Sequence, residues 1–135
     1  MRSVFFLAIG LFLALAASCA VAGDVGRNDA QCLSVDDALA QVGALNGTPV
    51  AICGWLRYES EDKNLYATAT DRWEDSDDHC LSVGRSEGFT TDLASLSGRR
   101  VRVTGVATSS FCPADTICMA SCSSTGIFAQ SIDPL

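Results

Sequence analysis

Cysteines, a single histidine and one acidic run hold most of the chemistry open to this chain of 135 residues. Of its seven cysteines, Cys19 lies within the N-terminal leader. Cys32, Cys53, Cys80, Cys112, Cys118 and Cys122 remain. An even set in a small exported domain reads as a disulfide framework. The spacing leaves the pairing open, with at least one bridge expected to run from Cys53 or Cys80 to the Cys112–Cys122 segment or to Cys32. A zinc site of Cys112, Cys118 and Cys122 with His79 is the competing use of the thiols, but the chain lacks the tight C-x-x-C pair such sites favour. The same lack removes a thioredoxin-like redox role.

The run Asp71-Arg72-Trp73-Glu74-Asp75-Ser76-Asp77-Asp78-His79 is the densest polar cluster. Asp75, Asp77 and Asp78 carry the hard oxygens calcium wants, without the D-x-D-x-D-G order or the distal glutamate of a calcium loop. It reads as a solvated loop. His79 stands beside Cys80, yet neighbours on a strand point to opposite faces, so a Cys–His dyad is not expected. There is no nucleophile elbow. The residues therefore predict no catalytic group, no cofactor and no metal: a protein that is not an enzyme.

Nine Lys and Arg against 16 Asp and Glu give a net charge of −7. Arg99, Arg100 and Arg102 form a small basic patch, and Trp55, Tyr58 and Tyr66 can face one another across a hairpin. Nucleic acid needs a basic groove studded with aromatics, and the overall charge opposes it. The aromatic trio is instead expected to form a face for a protein or envelope partner.

These residues need elements to position them. Residues 1–22 read as a signal peptide: Arg2, the apolar run Val4 to Ala17, then small residues. Ala20-Val21-Ala22 allows cleavage before Gly23, whereas Ala16-Ala17-Ser18-Cys19 would make Cys19 a lipidated N-terminus, the one route to a membrane. Residues 23–31 read as a flexible lead, and residues 32–135 as one domain. Ser34-Val35-Asp36-Asp37 opens an amphipathic helix running to Leu45, which Asn46-Gly47 ends. Strands are expected at Pro49 to Glu59, Leu65 to Thr70, His79 to Val83, Arg99 to Thr108 and Gly126 to Ile132. A polar turn spans Ser60 to Asn64, an acidic loop Arg72 to Asp78, and one or two helical turns Thr90 to Leu96. The stretch from Ser109 to Ser124 reads as a crosslinked loop.

The segments Leu45 to Gly54 and Leu96 to Gly105 share the pattern L-x-G-x-x-V-x-[IV]-x-G. Glycines inside two strands mark sharp bends where a small sheet coils on itself. With V-x-I-x-G-W-L, N-L-Y and L-x-G-R-R-V-R-V-T-G, the chain from Leu45 to Ile132 resembles the small exported OB-fold-like domains of Gram-negative bacteria, periplasmic or lipoprotein in type. The resemblance implies a mainly β, five-stranded Greek-key barrel, and transfers no functional residues. The extra N-terminal helix and the cysteine-rich segment, which replaces an ordinary fourth-to-fifth strand loop, depart from it, so the fold expected is such a barrel, disulfide-stapled, with an extra N-terminal helix. The function expected is a non-catalytic envelope interaction module, acting through the face of Trp55, Tyr58 and Tyr66 or through the loop from Ser110 to Ser124. The alternatives are a small periplasmic ligand- or metal-binding protein using the acidic loop, or a secreted effector or inhibitor.

Overall fold

The computed structural model describes residues 32–74, 77–112, 115, 118 and 122–135. The signal peptide, the lead, Cys19 and Asp75 lie outside the described residues. The elements are β1 (Leu33–Ser34), α1 (Val35–Ala40), α2 (Val42–Leu45), β2 (Pro49–Glu59), β3 (Asp62–Tyr66), α3 (Ala69–Glu74), β4 (Cys80–Arg85), β5 (Arg100–Thr108) and β6 (Gly126–Pro134), with single 3-10 turns at Asp77–His79 and Ala94–Leu96. The protein is mainly β.

Five strands pair in the order β2-β3-β4-β6-β5, and β5 also pairs with β2, so the hydrogen bonding closes into a ring. The β4–β6 pair is parallel, and the other ring pairs are antiparallel. Alternation along each strand sends Ile52, Leu56, Leu65, Leu81, Val101, Val103 and Ile127 into the core, as period-two patterning requires. The echoed segments lie against each other: Val50 faces Gly105, Ile52 faces Val103 and Gly54 faces Val101. Neither glycine leaves room for a side chain. A Cβ on Gly54 would stand 2.7 Å from the Tyr66 carbonyl oxygen and 2.9 Å from Val35 Cγ2, and one on Gly105 would run into the Phe128 carbonyl.

The sixth strand, β1, is two residues long and lies parallel to Ile52 and Cys53, beside the Cys32–Cys53 disulfide. Ser34 Oγ accepts the Asp37 N–H at 3.1 Å and caps α1, with Asp36 and Asp37 in the favourable first turn. Val35 and Ala38 enter the core. The single helix expected to Leu45 is broken at Gln41, whose φ of −113° is not helical, and Gly43 weakens the turn beyond it.

Other boundaries differ for local reasons. The hairpin turn is only Ser60-Glu61, because Asp62 pairs with Glu59 and β3 starts there. The strand expected to Thr70 stops at Tyr66. Thr68 Oγ1 accepts the Asp71 N–H at 3.0 Å and starts α3, so a helix occupies the beginning of what reads as an acidic loop. The third ring strand begins one residue later than expected and continues to Arg85. The helical turn before β5 shrinks to Ala94–Leu96, and β6 runs through to Pro134.

All six downstream cysteines are paired: Cys32–Cys53, Cys80–Cys122 and Cys112–Cys118. Such a set belongs to an oxidising environment outside the cytosol. Among the described residues, no helix is long and apolar enough to cross a membrane.

Candidate functional site

The three aromatics expected to share a face do not. Trp55 pairs directly with Tyr66 on the exterior of the ring. Tyr58 falls on the opposite face by the same alternation, half-buried against the core, with Lys63 Nζ 5.6 Å from its ring centroid. Tyr66 is only 3% exposed. Its hydroxyl donates to Asp62 Oδ2 at 3.3 Å, and Asp62 also receives Asn64 Nδ2 at 2.7 Å and pairs with Arg57 Nε at 3.0 Å. Arg57 Nη1 donates to the Arg72 carbonyl of α3 at 3.0 Å. Burial raises the Tyr66 phenol above its ordinary pKa, and the charge of Asp62 pushes the same way, so it stays a neutral donor.

This exterior face is covered by the chain itself. Asn64, Cys80 and Ser82 are buried although they point away from the core. Cys80 is bridged to Cys122, the Ser82 amide donates to the Thr125 carbonyl at 3.1 Å, and its hydroxyl reaches the Ser123 carbonyl at 3.3 Å. Residues 122–125 thus lie along β4, and Trp55 is left half-exposed as the outer remnant of the trio.

His79 takes neither of the roles weighed for it. Its Nδ1 lies 2.8 Å from Asp36 Oδ1 and joins the turn before β4 to α1. That hydrogen bond, then the charge of Asp36, raises the imidazole above its ordinary pKa. Cys112, Cys118 and Cys122, the partners of a zinc site, are in disulfides, and so is Cys80, the partner of a dyad. For calcium, Asp75 lies outside the described residues and Asp78 is exposed. Among the described residues, no group of three or more His, Cys, Asp or Glu is placed to hold a metal ion.

A different surface stands out. Phe128 projects from the exterior of β6 and is 40% exposed. Phe111 stacks on it, centroids 5.2 Å apart and planes 24° apart. The register continues the row across four strands: Pro49 faces Val106, Val106 faces Phe128, and Phe128 faces Gly84. Gly84 and Gly126 make the floor under the rings. A Cβ on Gly84 would lie 2.7 Å from Phe128 Cδ1 and 3.0 Å from Phe111 Cε2, and one on Gly126 would enter the Phe111 ring. The Phe111 amide donates to the Ser124 carbonyl at 2.6 Å, and the Cys112–Cys118 bridge comes immediately after.

No protein-family model and no curated protein matches the chain. Among the solved structures that are similar are two with the same bound partner. One is OBody AM1L10 bound to hen egg-white lysozyme, 25% identical over 68% of this chain and 83% of that one, with a TM-score of 0.41. The other is OBody AM3L15 bound to hen egg-white lysozyme, 24% identical over 71% and 89%, with a TM-score of 0.43.

Of the expected surfaces, the trio is therefore divided between two faces with Tyr66 buried, whereas the loop from Ser110 to Ser124 contributes the partly buried Phe111, which stacks on exposed Phe128. Phe128 is an exposed aromatic that sequence reasoning did not single out. Its signal was present: an aromatic at an outward position of the last strand, two residues after Gly126 in the same strand.

Proposed function

We propose that the protein is a non-catalytic interaction module of the cell envelope, built on an OB-type barrel and exported to the periplasm. The closed five-stranded ring and the three bridges support the architecture and the oxidising address. The leader sequence supports export, either as a soluble chain from Gly23 or anchored through Cys19.

One observation carries the interaction reading: exposed Phe128 stacked on the partly buried Phe111 over a glycine floor, with a disulfide bridge next to Phe111. Rigid, partly exposed aromatics act as anchor residues because burying them in a partner gains apolar area at little conformational cost. The row from Pro49 through Val106 to Phe128 widens that anchor without adding charge.

The test is site-specific photo-crosslinking in the organism that encodes the chain, with a photoreactive residue at Phe128 and, as control, at the hairpin residue Glu61. A discrete adduct at 128 and none at 61 is expected. Absence of an adduct at 128, or equal labelling at both positions, would remove the reading.

A further inference from the structure

We infer that the Cys112–Cys118 bridge is a thiol–disulfide exchange site, the one of the three bridges that a protein dithiol of the oxidising compartment reduces while the barrel stays folded. The inference is independent of the interaction reading above. It makes the chain a recipient of exchange and places no thioredoxin-like motif within it.

Exchange needs an attackable sulfur and a leaving thiolate that water can solvate. The bridges differ in the second requirement. Cys80 is 0% exposed and Cys53 is 7% exposed. Attack at their partly exposed partners Cys122 and Cys32 therefore expels a thiolate into a buried site, where desolvation disfavours the charge. Cys112 and Cys118 are both partly exposed. Either sulfur can be attacked there, and either leaving thiolate emerges near water.

The bridges also differ in what the fold asks of them. Cys32–Cys53 fastens the two-residue β1 to β2, just ahead of Val35 and Ala38 in the core. Cys80–Cys122 fastens residues 122–125 over β4. Cys112 and Cys118 belong to no strand or helix. The base of their segment is closed without their bond, by the Phe111 amide on the Ser124 carbonyl, the stacking of Phe111 on Phe128 and the Cys80–Cys122 bridge. Their separation of six residues, against 21 and 42, also means that opening this bridge returns the least chain entropy.

The step balances as follows. A donor thiolate attacks Sγ of Cys112 or Cys118, breaks the S–S bond and expels the other sulfur, which takes up a proton. The donor's second thiol then loses its proton and attacks the mixed disulfide, releasing the first-attacked cysteine as a thiol. The donor leaves as a disulfide, and two electrons and two protons end on Cys112 and Cys118. Because Phe111 immediately precedes Cys112 and stacks on exposed Phe128, the redox state is written beside the aromatic pair.

The test exposes the oxidised, folded protein to dithiothreitol, quenches with acid, alkylates and follows each cysteine by mass spectrometry. Cys112 and Cys118 are expected to label together, about tenfold or more faster than Cys32, Cys53, Cys80 and Cys122, with a cooperative melting transition retained once they are reduced. A thioredoxin whose second active-site cysteine is replaced by serine is expected to be captured as a mixed disulfide on Cys112 or Cys118. Cys112→Ala with Cys118→Ala should remove the early labelling and the capture while the protein still melts cooperatively. Earlier labelling of either other bridge, simultaneous labelling of all three as the protein unfolds, or capture at another cysteine or none overturns the assignment.

Discussion

Asn46 and Ser97 are structural equivalents in the two echoed segments. The Oδ1 of Asn46 accepts the Ser109 amide at 2.9 Å, and the Oγ of Ser97 accepts the Tyr58 amide at 2.9 Å. The backbone around them repeats the relation. Gly47 donates to Ala107 and Gly98 to Leu56, both at 2.8 Å, while Ala107 donates back to Thr48 and Leu56 back to Arg99. Each glycine has a positive φ, 75° and 84°, the region where a side chain is disfavoured. A short helical turn, a left-handed glycine and a long strand thus occur twice, and the two strands pair antiparallel about Ile52 and Val103.

The equivalence predicts unequal costs, because the surroundings differ. The Tyr58 amide is partly buried, and the Ser109 amide is exposed. Ser97→Ala strands a partly buried donor and is expected to destabilise by about 1–2 kcal/mol, against about 0.5–1 kcal/mol for Asn46→Ala. Urea unfolding with unchanged m-values measures both, and the reverse ranking would contradict the assignment.

The two bridges of the cysteine-rich segment should also differ. Cys80 and Cys122 are 42 residues apart, Cys112 and Cys118 only six. Chain entropy alone makes the longer loop worth roughly 1.5–2 kcal/mol more. Replacing Cys80 and Cys122 with alanine is expected to cost more stability than replacing Cys112 and Cys118, and should leave Asn64 and Tyr66 open to hydrogen exchange and solvent. Equal melting temperatures for the two double variants would show that the segment is held by its backbone bonds to Ser82 instead.

How far the sequence reached depends on the physical range of each signal. Alternation identified the inward residues of β5, Val101, Val103 and Ala107, because a one-residue slip would expose all of them. The echo located both coiling glycines. Boundaries failed where a side chain redirects the backbone: Thr68 starts a helix through a local cap, a Thr-x-x-Asp signal readable in advance, and Asp62 joins the strand through cross-strand pairing that only the fold supplies. The trio of Trp55, Tyr58 and Tyr66 failed on parity, since positions 55 and 58 of one strand point to opposite faces. Burial of the face carrying Tyr66 was not legible, because it depends on Cys80 pairing with Cys122 among several alternatives. The stacking of Phe111 on Phe128 was hidden for the same reason.

The hairpin turn holds the strained position. Ser60, at φ 49°, is the non-glycine residue of positive φ among those described. A two-residue turn of this kind prefers Asn or Gly. Ser60→Asn is expected to stabilise by about 0.5–1 kcal/mol, read as a higher urea midpoint at constant m. A lower midpoint would mean that the serine makes a contact worth more than the strain.

The tie between His79 and Asp36 makes stability depend on pH in a definite direction. The folded protein holds the imidazole above its ordinary value, first through the hydrogen bond to Asp36 and then through its charge. A raised pKa favours the protonated form, so the stabilisation is complete below the unfolded value of about 6.5 and fades as pH rises through the folded one. Both side chains are half-exposed, so the effect is small and salt should weaken it. The wild-type melting temperature is expected to fall slightly between pH 6 and pH 8.5 relative to His79→Gln, and the difference should shrink in 0.5 M sodium chloride. In spectra recorded over the same range, the His79 ring should titrate above the free imidazole, and Asp36→Asn should return it. A His79 titration at or below the ordinary value would show that the ring does not hold α1 to the turn before β4.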